Sequence, residues 1–92
     1  MEKRKLFLER IAPLFWWMDP QAVQQVGDET VTEAVLNYGT EAEVQELFSL
    51  YGQEFVAKIF RKQAFSPRTN YLNLTKNFFT LYFNRHAPHH TH

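Results

Sequence analysis

Two stretches of this chain follow one plan: VTEAVLNYG at residues 31–39 and VQELFSLYG at residues 44–52. In each, apolar residues recur at i, i+3, i+4 and i+7: Val31, Ala34, Val35 and Tyr38, then Val44, Leu47, Phe48 and Tyr51. That spacing puts them on one side of an α-helix and suits no strand. Asp28 is the expected N-cap of the first helix. Gly39 is expected to end it in the left-handed conformation that many helix C-termini adopt. Thr40 then restarts the chain, and Glu43 stands three residues on, the spacing of a capping box. Gly52 ends the second helix. Restarts this short force sharp turns between helices, as in helical hairpins and helix-turn-helix units. The likeness of the two stretches is a local echo and not a repeat architecture.

The flanking segments continue the helical reading. Residues 3–12 form a plausible first helix, with Phe7, Leu8, Ile11 and Ala12 on one side and Pro13 near its end. PLFWWMDP follows as a rigid aromatic connector, and Pro20 allows a short helical turn after Asp19. Residues 53–63 form a further helix, with Phe55, Val56, Ile59 and Phe60 inward and Glu54, Lys58, Arg61 and Lys62 outward. Ser66 and Pro67 are an N-cap and a first helical residue, which predicts that the last helix begins there. The expected fold is all-α, a small single-domain bundle of four to five helices over residues 1–85 with a helix-turn-helix-like C-terminal half. Residues 86–92 form a flexible His-rich tail.

Ninety-two residues make one domain. With 45% hydrophobic and 16% aromatic residues, the chain is too apolar for disorder. So many rings in so small a domain point to a partner surface, and a homodimer or a bound protein would hide them. The absence of cysteine removes disulfides, thiolate catalysis and Cys-ligated zinc. The basic start lacks the apolar run and cleavage site of a signal peptide, and no segment approaches the ~20 apolar residues of a membrane span. A soluble, cytoplasmic chain with no membrane partner is expected.

Zero net charge hides an uneven distribution. Residues 11–52 carry Asp19, Asp28, Glu29, Glu33, Glu41, Glu43 and Glu46 and no Lys or Arg. Residues 53–92 carry Lys58, Arg61, Lys62, Arg68, Lys76 and Arg85 against Glu54 alone. The two halves either attract each other within the fold or serve two partners.

On a helical wheel, Tyr71, Leu72, Leu74, Phe78, Phe79, Leu81, Tyr82 and Phe83 cover half or more of the last helix. Thr69, Asn70, Asn73, Lys76, Asn77, Thr80 and Asn84 share the remainder. A solvated face usually holds Glu, Lys, Gln and Arg, because Asn and Thr cost helix stability. The stripe therefore invites a reason. Asn donates and accepts together at an adenine edge, and Thr reaches a base or a phosphate. Lys58, Arg61, Lys62 and Arg68 would hold phosphates. The competing reading is a polar surface with no nucleic-acid role.

Other candidate sites are thin. His86, His89, His90 and His92 have no carboxylate or Cys nearby to complete a metal site. Glu41, Glu43 and Glu46 suit the positive end of a helix dipole. No histidine in the folded body activates Ser49 or Ser66, and three glycines build no phosphate loop. No enzyme and no cofactor are expected. Trp16 and Trp17 offer an anchor for a partner, with one ring expected buried and Trp17 the partner-binding one; Phe79 and Phe83 join it as partner-binding candidates.

Leu14-Phe15-Trp16, Asp19-Pro20, Leu36 to Gly39, Leu47 to Gly52 and Ser66 to Thr69 occur in an order that resembles a family of short bacterial helical proteins of unknown function. The likeness spans most of residues 14 to 83. Trp17 departs from the pattern, which carries an acidic residue there. Members often neighbour nucleotidyltransferase-like toxins, so the resemblance implies an antitoxin or regulator. The preferred expectation is a small bacterial DNA-binding regulator. On that reading Lys58, Arg61, Lys62, Arg68 and Lys76 hold phosphates and Asn70, Asn73 and Asn77 lie near base edges of double-stranded DNA. The acidic half and exposed rings hold a toxin, another protein or a second copy. The alternative is a protein–protein interaction module, an adaptor or dimerising subunit, that docks through the apolar face of residues 71–83.

Overall fold

The computed structural model describes residues 2–87. Helix α1 (Glu2–Ile11) places Phe7, Leu8 and Ile11 in the core. Pro13 then tightens the chain into a 3-10 turn (Ala12–Phe15), and Asp19 accepts from the Gln21 amide to start the short α2 (Pro20–Val23). Three further helices follow closely: α3 (Asp28–Tyr38), α4 (Glu41–Tyr51) and α5 (Gln53–Ala64). After a loop, α6 (Asn73–His86) completes the fold. The described residues are all-α, with five helices of ten or more residues and the four-residue α2. The radius of gyration, 13.1 Å, is that of one folded unit of this size.

The Thr40 capping box forms in full. The Glu43 amide donates to the Thr40 hydroxyl at 3.2 Å, and the Thr40 amide donates to the Glu43 carboxylate at 2.9 Å. The two glycines act by different means. Gly52 has φ +89°, a conformation that a Cβ would strain, so the direct step from α4 into α5 requires glycine. Gly39 is extended and not left-handed, contrary to expectation. Its role is space: a Cβ there would lie 2.7 Å from the Val35 carbonyl oxygen.

Asp28 is not the N-cap of α3; Gly27 is, and no side chain caps it. The Asp28 carboxylate is instead drawn into a polar network that ties α1, α3 and α4 together. The Tyr51 hydroxyl donates to it at 2.7 Å, and Arg4 donates to it at 3.3 Å, to the Tyr51 oxygen at 3.0 Å and to the Val26 carbonyl at 2.6 Å. Burial works against the Arg4 charge, but its contacts with Tyr51 and Asp28 outweigh this and hold its pKa above the ordinary value. Burial and the bond to Asp28 push the Tyr51 phenol up, and Arg4 opposes them. Arg10 pairs with Glu46 across α1 and α4. Part of the charge asymmetry of the sequence is thus internal, with the basic start of the chain bound to its acidic middle.

The largest departure is the start of α6, whose N-cap is Leu72 and first residue Asn73, six residues later than Ser66 and Pro67 predict. An N-cap contributes ~1 kcal/mol, whereas burying an aromatic ring contributes ~2–3 kcal/mol. Burial wins at Tyr71, which packs edge-to-face on Phe60 at 5.0 Å and donates its hydroxyl to Gln63 at 2.6 Å. Asn37 on α3 then holds the loop by its backbone, donating to the Asn70 carbonyl at 3.2 Å and accepting from the Leu72 amide at 3.1 Å. The sharp step therefore lies between α4 and α5, and residues 65–72 form a longer, pinned connection to α6.

Tyr38 and Phe55, expected inward, are exposed, while Leu36 and Ala57 take core positions. Both tryptophans are exposed, Trp16 at 83% and Trp17 at 57%. The ring that closes the core at this corner is Phe15, with Trp17 packed on its edge at 5.7 Å. His86 is the last helical residue of α6; the other three histidines lie outside the described residues.

A candidate docking groove between α4 and α6

Helix α6 is a 14-residue helix with two unlike apolar faces. One is buried. Phe83 packs against Phe48, Phe60 and Phe79, with centroids 5.5–5.8 Å apart, and Phe79 also meets Phe60. These two rings anchor α6 to α4 and α5. They were expected to bind a partner; the structure places them in the core instead, because i, i+4 spacing aligns both with the α4/α5 crevice.

The other face is open. Leu74 is 84% exposed, Phe78 59% and Leu81 72%. Along it runs a groove of about 420 Å³. Leu36, Val44 and Phe48 form one wall, Phe78, Phe79 and Tyr82 the other, and Glu41 and Gln45 belong to its α4 side. Tyr82 stacks on Phe48 at 5.7 Å to close the floor, and its oxygen accepts from Gln53 at 3.3 Å. Leu74, Phe78 and Leu81 are spaced four and three residues apart, the heptad step that keeps one face toward a partner helix. The sequence shows this spacing, but it merges there with the Phe79/Phe83 row. Only the packing separates the two.

Of the expected phosphate-holding residues, Lys58 and Arg68 are exposed, and neither forms an ion pair among the described residues. Arg61 is turned inward, donating to the carbonyls of Phe83 at 3.1 Å and Ala87 at 2.7 Å. It gives the Ala87 carbonyl a partner and adds a second donor to the Phe83 carbonyl, which already accepts from the Ala87 amide at 2.9 Å. Lys62 lies 3.8 Å from Glu29, an exposed pair of little energetic weight. Lys76 sits over the Phe65 ring at 5.3 Å. Asn73, Asn77 and Asn84 do share one exposed stripe of α6, beside the open apolar row. Asn70 is exposed in the preceding loop, its carbonyl held by Asn37.

Among the described residues no cluster of three or more His, Asp or Glu side chains could hold a metal ion, and no helix is long and apolar enough to cross a membrane. No protein-family model, curated protein or solved structure matches the chain.

Proposed function

We propose that the chain is a protein-docking module whose working surface is the α4/α6 groove and the open row of α6. The observation that carries this reading is the exposure of Leu74, Phe78 and Leu81 at heptad spacing beside a ready-made apolar groove. Single exposed apolar residues are ordinary, but a contiguous row flanking a groove is the form a helix-binding surface takes. Two tests on one preparation decide it. Partner proteins retained by the wild-type chain are compared with those retained by Leu74→Glu and Leu81→Glu, with circular dichroism confirming that both variants stay folded. Loss of the retained partner supports the docking surface. Unchanged retention by both variants contradicts it.

A second reading, a DNA-binding regulator of antitoxin type, is favoured by the exposed stripe of Asn73, Asn77 and Asn84, with Lys58 of α5 and Arg68 of the preceding loop also exposed. Its test is fluorescence anisotropy against duplex DNA at low and physiological salt. DNA binding predicts a steep loss of affinity with salt, and a salt slope shallower by about 1 for each phosphate-holding cation replaced by alanine. Unchanged anisotropy at low salt overturns it.

A further inference from the structure

The docking reading leaves the occupant of the groove open, and the surface itself constrains it. The open row does not stop at Leu81. Arg85 stands four residues further on, exposed and in no ion pair among the described residues. The full seam is therefore Leu74, Phe78, Leu81 and Arg85, with steps of four, three and four residues. Three apolar positions end in a cation.

The opposite charge lies at the other end of the groove. Glu41 and Leu74 line the same groove, at the starts of α4 and α6. Asn37, just before α4, holds the backbone of residues 70–72, and Phe48 further along α4 stacks on Tyr82. The two helices thus run side by side in the same direction. Glu41 marks one end and Arg85 the other. Glu41 is also exposed and in no ion pair among the described residues.

From this we infer that the occupant is a second copy of the chain, docked with its α6 antiparallel. The inference rests on the docking reading. A two-fold axis near the midpoint of the seam places Leu74 opposite Arg85 of the second copy, and Phe78 opposite its Leu81. Each Arg85 then reaches the Glu41 end of the facing groove, and two-fold symmetry makes the pair twice. Parallel pairing would instead set Arg85 against Arg85, so charge selects the antiparallel arrangement. At the ~200 Å² that a free large apolar side chain exposes, Leu74, Phe78 and Leu81 offer on the order of 400 Å² per copy, about half of the ~800 Å² per partner of a standard interface, and the groove walls with Arg85 and Glu41 add to it.

Sedimentation equilibrium of the full chain tests this, over a wide concentration range at low salt. The expected result is a monomer–dimer equilibrium. Arg85→Glu and Glu41→Arg should each weaken it about tenfold, and the double charge swap should restore most of the loss. Phe78→Asp should weaken it a hundredfold or more by burying a charge in the seam. A dimer indifferent to all three substitutions uses another surface and overturns the inference. So does a strict monomer. If that monomer retains a different protein and Leu74→Glu releases it, self-pairing fails while the docking reading stands. If it retains none, both fail.

Discussion

Phe78 and Phe79 are neighbours in sequence, identical in chemistry and 4.9 Å apart edge-to-face, yet one is open to solvent and the other is buried. The difference is about 100° of helix. Phe79 shares its direction with Phe83 and falls between α4 and α5; Phe78 shares its direction with Leu74 and Leu81 and borders the open groove. A helix holding only its buried face to the bundle needs about one apolar stripe. The second stripe exceeds what folding of this chain uses, and that excess is the ground for assigning it to association.

The contrast can be broken most strongly from the buried side. Phe83→Ala removes a ring with no exposed surface that touches four other rings, and should cost about 3–5 kcal/mol in denaturant unfolding. Arg61→Ala comes next. It strips a charged donor from the Phe83 and Ala87 carbonyls and should cost about 1.5–3 kcal/mol, with faster amide exchange confined first to the last turn of α6. Asn37→Ala acts at the opposite end. Loss of its two bonds to residues 70–72 should cost about 1 kcal/mol and expose the Leu72 amide to exchange. Smallest of all is Phe78→Ser, which should change the stability of the dilute protein by no more than about 0.5 kcal/mol while removing association.

The attachment of α6 also has a pH signature. Burial, reinforced by the negative charge of Glu33, pushes the Tyr71 phenol far above its ordinary value, and the Tyr51 phenol is raised as well. The folded state then holds these protons more tightly than the unfolded chain. Their contribution is complete below pH ~10, where an unfolded tyrosine titrates, and is lost as pH rises beyond it. Tyrosine absorbance should show a late-titrating class whose ionisation coincides with alkaline unfolding. Tyr71→Phe should remove part of that class.

Much of the fold is legible in the sequence, and the rest is hidden for definable reasons. Periodicity and punctuation place α3, α4 and α5, and the Thr40 capping box forms as its spacing predicts. These features depend on residues within one helix turn of each other. Ser66-Pro67 is a good local start signal too, but the start of α6 is decided by Tyr71 on Phe60 and by Asn37 on the loop, contacts between residues 8 to 35 positions apart. Phe15, not either tryptophan, fills the first corner, because only one of three consecutive rings can point inward there. The apolar face of residues 71–83 is visible in the sequence as a single broad surface. Its division into a buried and an open stripe depends on where α4 and α5 lie.

Solvent paramagnetic relaxation enhancement, recorded on the side chains of α6 from dilute to concentrated protein, addresses that division directly. Strong enhancement at Leu74, Phe78 and Leu81 in the dilute sample, falling as copies associate, is predicted, with Phe79 and Phe83 shielded throughout. Shielding of Leu74, Phe78 and Leu81 in the most dilute sample would contradict the two-faced helix, and enhancement that never falls with concentration would contradict the pairing of copies through it.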